Sequence, residues 1–237
     1  MPQQSAVRAA MDFWEKRTCV KFIEDGEQSS RDEYLTIDWN NVRGDMRRNF
    51  DMESSLSADV FDVPYEFGSN LHYAQNDFAL DTSRPVLIVR PPFTPYQRAM
   101  NGRIPTFLDI LNVNLHHDCF KNCAQKISCA NGGVQDVNNC EVCTCPMGWS
   151  GQHCNELIPS AEIISVGRET VFRRILMGRQ GAGRGAEYET KYMVVQVPKG
   201  KRVLLRPKVL GTQWTSSCEG MGVEVKYKED QRLAGVQ

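Results

Sequence analysis

Six of the nine cysteines in this 237-residue chain fall between Cys123 and Cys154, spaced C-x5-C-x10-C-x2-C-x-C-x8-C. Residues 119–155 contain little else that could build a core, so cross-links must do what apolar burial does elsewhere. Such density points to disulfides and an oxidising compartment. Six cysteines allow fifteen connectivities, and spacing alone does not choose among them. A zinc or cluster site on Cys140, Cys143 and Cys145 is the competing reading, since thiolates this close can share a metal.

The segments around those cysteines favour the disulfide reading. Cys129 opens Cys129-Ala130-Asn131-Gly132-Gly133, and the last stretch reads Cys145-Pro146-Met147-Gly148-Trp149-Ser150-Gly151-Gln152-His153-Cys154. Residues 120–155 thus resemble an EGF-like domain, whose stapled hairpins need glycines at tight turns. The resemblance implies three pairs: Cys123–Cys140, Cys129–Cys143 and Cys145–Cys154. Phe120-Lys121-Asn122 stands where calcium-binding members carry an acidic lead-in, so no calcium is expected here.

With 28 basic and 29 acidic side chains, the net charge of −1 gives no electrostatic case for nucleic acid. Apolar runs such as Val86–Val89 are strand-sized, so no membrane span is expected. The opening MPQQSAVRAAMDFWEKRTC is amphipathic, not the basic-then-apolar pattern of a secretory signal, and the true N-terminus is expected upstream.

Val7, Ala10, Met11 and Trp14 recur at helical spacing and predict a helix over residues 5–17. Thr18–Phe22 is β-prone, Leu35, Ile37 and Trp39 alternate, and residues 84–90 read as a buried strand ended by Pro91-Pro92. Thr106 with Asp109 forms a capping pair for a helix running to about His116, with Leu108, Leu111 and Leu115 inside. Residues 191–197 and 202–210 flank Pro198-Lys199-Gly200-Lys201 as an expected β-hairpin.

Several segments of the first half carry a second resemblance. They include Thr18-Cys19-Val20-Lys21-Phe22, Gln28-Ser29-Ser30-Arg31, Trp39-Asn40-Asn41-Val42, Tyr65-Glu66-Phe67-Gly68-Ser69-Asn70-Leu71-His72-Tyr73, and Phe107-Leu108-Asp109-Ile110 leading to Cys119. In this order they resemble the astacin family of secreted zinc metalloendopeptidases, most closely the nematode members with EGF-like and CUB domains. The resemblance implies an α+β chain of three parts. Residues 1–119 would be a truncated astacin-like metzincin domain, 120–155 the small disulfide-rich EGF-like module, and 156–237 a partial all-β CUB-like sandwich. Support for the last part comes from Val197–Val203, Cys218-Glu219-Gly220 and Gly222–Lys226.

The resemblance also implies site residues. Tyr73 takes the place of the family tyrosine that ligates zinc or stabilises the transition state by donating to the developing oxyanion. Leu71 stands where a methionine usually packs under the metal, a nearly volume-conserving swap. His72 reads as a packed, hydrogen-bonded histidine and not a ligand. Cys19 and Cys119 match a family disulfide that would close a loop of about 100 residues, a stabilisation of about 4–5 kcal/mol by loop-closure entropy.

Family chemistry rests on H-E-x-x-H-x-x-G-x-x-H, in which histidines four apart bind zinc and the glutamate deprotonates its water. This sequence has four histidines, His72, His116, His117 and His153, and none stand in H-x-x-x-H spacing. Phe22-Ile23-Glu24 is followed almost at once by Asp25-Gly26-Glu27-Gln28-Ser29, which places Gly26 at the third zinc-histidine position. Asp25, Glu27, Asp32 and Glu33 read as a solvated acidic loop and not as substitute ligands. Removal of core strands and the ligand helix argues against independent stability of residues 1–119.

The family reading is therefore a secreted peptidase whose zinc this chain is not expected to bind, with extracellular protein or peptide substrates. The alternatives are a non-catalytic extracellular protein that binds proteins or glycans through its EGF-like and CUB-like parts, or an aberrant splice or gene-model fragment. Cys218 is left without a partner once the other eight pair. Arg168, Arg173, Arg174, Arg179 and Arg184 read as a solvated basic stretch and not a glycan patch.

Overall fold

Leu35-Thr36-Ile37 and Leu87-Ile88-Val89 each present apolar side chains at alternate positions, which gives each segment one face to bury. In the computed structural model of the chain they pair antiparallel as β1 (Leu35–Ile37) and β2 (Leu87–Val89), with Leu35 opposite Val89 and Ile37 opposite Leu87. Leu35, Leu87 and Val89 turn inward, whereas Ile88 faces out. The structure describes residues 10–19, 33–51, 61–102, 104–175, 190–206 and 222–237.

Aromatic packing fills the core behind this ribbon. Phe67 stacks on Tyr96 at 5.0 Å between ring centroids, and Tyr34 stacks on Tyr65 at 4.5 Å. Phe50, Val42, Val86, Ala99 and Met100 complete the cluster. Phe50 closes the 3-10 helix Gly44–Phe50, and Tyr96 sits in the 3-10 helix Thr94–Arg98. Two side-chain amides, one half-buried and one fully buried, serve the backbone that the short strands leave unpaired. Gln97 accepts from the Val89 N–H at 2.8 Å and donates to the Leu87 carbonyl at 2.8 Å. Asn41, fully buried, donates to the carbonyls of Asp81 and Arg84 and accepts from the Asp81 N–H.

The described start of the predicted N-terminal helix is helical over residues 10–15 (α1), and its earlier turn lies outside the described residues. Residues 20–22 of the β-prone segment also lie outside them. Helix α2 (Phe107–His116) begins where the capping pair places it. Thr106 Oγ1 accepts from the Asp109 N–H at 3.2 Å, and the Asp109 carboxylate accepts from the Thr106 N–H at 2.8 Å. Leu108 and Leu111 are buried with Val63, while Phe107, Leu115, Phe120 and Val134 pack around them. Asn114 on α2 donates to the Arg17 carbonyl, and the Cys19–Cys119 disulfide lies alongside, so the segment just after α1 is tied to α2 and to the turn that follows it.

Beyond Cys119 the chain makes two small antiparallel hairpins. β3 (Val134–Gln135) pairs with β4 (Cys143–Thr144), and β5 (Trp149–Ser150) pairs with β6 (Glu156–Leu157). Disulfides join Cys123 to Cys140, Cys129 to Cys143 and Cys145 to Cys154. Gln135 bridges the module internally, donating to the carbonyls of Gln125 and Cys140. Mixed helix and strand content and four disulfides are thus the frame of the described chain.

The expected hairpin over 191–210 is not what residues 193–206 form. The Pro198–Lys201 turn is present, with Lys201 N–H on the Pro198 carbonyl and Gly200 at φ +77°. However, β8 (Met193–Gln196) pairs in parallel with β7 (Glu162–Ser165), and residues 201–206 carry no strand. Turn chemistry specified the reversal, but the edge of β8 was taken by a partner about thirty residues upstream, which local pattern does not reveal. Residues 207–210 lie outside the described residues. The segment 222–237 returns to the first half, closed on itself by mutual Val225–Val236 backbone bonds.

Candidate functional site

The turn 65–73 is built by its own polar atoms. Ser69 Oγ accepts from the Leu71 N–H at 3.0 Å, and the Ser69 carbonyl accepts from the His72 N–H at 3.2 Å. Opposite it runs Gly102, where a Cβ would collide with the Gly68 carbonyl, so only glycine allows this approach.

His72 is oriented by two partners. Nδ1 faces the Tyr73 carbonyl at 2.6 Å, an acceptor, so Nδ1 carries the proton. Nε2 then holds the lone pair and accepts from the Tyr65 hydroxyl at 2.7 Å. Burial pushes the imidazole pKa below its ordinary value, consistent with this neutral form. Tyr73 packs edge-on against Phe50 and Phe78, at 5.9 and 5.0 Å between centroids. Leu71 stands out from the turn with 47% of its surface exposed.

Zinc needs free imidazole, thiolate or carboxylate donors converging on one point. Both ring nitrogens of His72 are spent on protein partners. His116 and His117 adjoin each other at the end of α2, and His153 Nδ1 lies 3.2 Å from the Ser128 carbonyl in the stapled module. Eight cysteines are in disulfides. Among the described residues, no three His, Cys, Asp or Glu side chains converge as a metal site would need. The donors described around Tyr73 therefore do not fit a zinc ion. Gly26, the acidic residues 25, 27 and 32, and Cys218 lie outside the described residues, whereas Glu33 is exposed.

Other expected features are dispersed. A shallow depression of about 300 Å³ is lined by Phe120, Lys126, Ile127 and Val134, in the stapled module and not beside Tyr73. Arg168, Arg173 and Arg174 are exposed, and Arg173 pairs with Glu162 at 3.2 Å; Arg179 and Arg184 lie outside the described residues. No described helix is long and apolar enough to cross a membrane.

One residue the sequence reading passed over is Glu66. Its carboxylate is buried, accepting from the Gly68 N–H at 2.9 Å and from the Ala234 N–H at 2.9 Å. Burial drives its pKa up to about 7, against the two amide bonds, with Asp109 and Glu224 adding repulsion. An acidic residue between two aromatics, Tyr65-Glu66-Phe67, was the available signal.

The profile of the peptidase family described as Astacin matches residues 26–118. Zinc metalloproteinase nas-23 of Caenorhabditis elegans is 28% identical over 221 residues, covering 89% of this chain and 40% of that protein. Zinc metalloproteinase nas-32 of the same organism is 30% identical over 212 residues, covering 87% of this chain and 32% of that protein. The chain thus spans well under half the length of these curated relatives. High choriolytic enzyme 1, a hatching enzyme zinc-protease from Oryzias latipes, aligns over 49% of this chain and 83% of its own. The two superpose with a TM-score of 0.38 at 15% identity. The profile match over residues 26–118 and the similarity to nematode zinc metalloproteinases together support a kinship of this segment with the astacin family.

Proposed function

We propose that this chain is a secreted, non-catalytic relative of the astacin-type zinc metalloendopeptidases. The observation that carries the reading is the donor set. The sequence holds four histidines and no H-E-x-x-H, and the histidine beside Tyr73 has both nitrogens committed to Tyr65 and to the Tyr73 carbonyl. Without a metal to polarise a carbonyl and lower the pKa of water, Tyr73 has no oxyanion to serve. The peptide or protein substrates of the family are then, at most, ligands here.

The binding role falls to the remainder of the chain. The three-disulfide unit is read as the EGF-like module, and the segment after it as the CUB-like part that contacts extracellular proteins or glycans. Disulfides at this density support an oxidising, extracellular setting.

Metal analysis of the secreted protein, with its disulfides verified by peptide mapping, tests the reading. We expect no stoichiometric zinc and no chelator-sensitive peptide hydrolysis. Zinc bound one-to-one together with such activity would overturn it. So would a transcript that encodes H-E-x-x-H between the codons for Glu24 and Glu27. The binding role further requires that the protein leave the cell and hold a partner through residues 120–237.

A further inference from the structure

The last described segment belongs to the first half of the molecule in its packing. Residues 224–236 close on themselves through Val225–Val236 and through the Glu224 carboxylate, which accepts from the Gly235 N–H at 2.6 Å. The loop then seats on both core clusters, Leu233 against Leu108 and Leu111 and Val236 against the aromatic core. Between them Ala234 lies so close to Gly68 that a Cβ there would stand 2.7 Å from the Ala234 Cβ. At this crossing the Ala234 N–H meets Glu66. The outer side touches the stapled module, with Lys226 Nζ 3.3 Å from the Met147 carbonyl and the Arg232 stem against Gly132.

We propose that residues 224–236 are a detachable strap, latched over the Gly68 turn and the α2 face by Glu66 and loosened when Glu66 gives up its proton.

The groups around Glu66 set the sign. Docking takes its carboxyl out of water and brings Glu224 from the strap close enough to repel it, as Asp109 of α2 does too. Asp109 is already occupied by the Thr106 N–H. Lys226 on the strap is the cation whose attraction reaches Glu66, yet its ammonium donates to the carbonyls of Met147 and Gln231. Arg232 is paired with Asp230 at 2.7 Å, burial holds His72 neutral, and burial raises Tyr96 to about 12, so it stays protonated. A neutral Glu66 removes its repulsion with Asp109 and Glu224, and its carbonyl oxygen keeps one of the two amide bonds while the protonated oxygen weakens the other. An ionised Glu66 must hold its charge with backbone amides alone at hydrogen-bond range. With the carboxyl pushed up to about 7, the proton leaves in the neutral range, and the docked strap is favoured below it.

Hydrogen exchange of the full, oxidised chain tests this, with rates corrected for intrinsic pH dependence by an unstructured reference peptide. Protection of the amides of Val225, Ala234 and Val236 is expected to fall at least about tenfold between pH 6 and pH 8, the equivalent of one unit of proton linkage. The Ile110 amide within α2 should not follow. Glu66→Gln, which cannot ionise, should keep the strap protected with no pH slope. Gly68→Ala should expose the strap amides at every pH while α2 stays protected. A flat profile in the natural protein, the same slope in Glu66→Gln, or full strap protection in Gly68→Ala would overturn the proposal. If Glu66→Gln does not fold, Glu224→Gln decides. Loss of that neighbouring charge should move the midpoint to lower pH, and an unmoved midpoint sinks the assignment to Glu66.

Discussion

Residues 33–119 and residues 120–157 hold themselves together in opposite ways. The first region buries Phe50, Phe67, Tyr96 and a set of aliphatic side chains, with a single disulfide at its margin. The second places three disulfides within about thirty-five residues, buries Val137 and Pro146, and packs Phe120 and Val134 against the cluster of Leu108 and Leu111. A chain too short to enclose a core restricts its unfolded state instead, whereas the longer region relies on removing apolar surface from water. The comparison also shows where the two meet. Leu108 is fully buried beneath both, so α2 is the shared wall.

Reduction should separate the two regions most sharply. The three short bridges close loops of 17, 14 and 9 residues, each a stabilisation of about 3 kcal/mol by loop-closure entropy. Thiol treatment is therefore expected to unfold residues 120–157 while the β1–β2 ribbon keeps its exchange protection. Equal loss in both regions would mean the aromatic core depends on the module. Leu108→Ala probes the shared wall, with an expected loss of about 2–5 kcal/mol in denaturant unfolding. Its effect should reach both regions, and a change confined to one would break the picture of a common wall.

The smallest effect is expected from acid. The His72 pKa is lowered by burial, so its contribution is full above the ordinary value near 6.5 and is lost as pH falls through the lowered value. His72→Phe should flatten that acid limb, measured as thermal midpoint against pH. Glu66 acts in the other sense. With its pKa raised to about 7, its contribution is full below 4.5 and fades as pH rises through about 7. The two groups act in opposite senses where their windows overlap, below about 6.5, and both lie in the aromatic region.

Much of the frame was legible because it is locally encoded. The capping box at Thr106 and Asp109, the strand at Leu87–Val89 and the glycine-punctuated cysteine run each declare themselves within a few residues. The four disulfides join the pairs that the family resemblances imply, which spacing alone left open. The hairpin over 191–210 misled because a turn signal says where the chain reverses and not which neighbour its edge will meet.

The candidate site divides the same way. That the sequence holds no H-E-x-x-H was readable by inspection, since such ligands are residue types at fixed spacing. That His72 spends both nitrogens on Tyr65 and Tyr73 needed coordinates, because ring orientation follows from packing. The role of Glu66 was further out of reach. Its partner Ala234 lies 168 residues away, and no local pattern of charge or hydropathy links them. The sequence by itself determined the local elements, the clustering of cysteines and the lack of an H-E-x-x-H. Only the tertiary structure decided that the far end of the chain closes over the first half, because a buried carboxylate takes whichever amide the fold delivers to it.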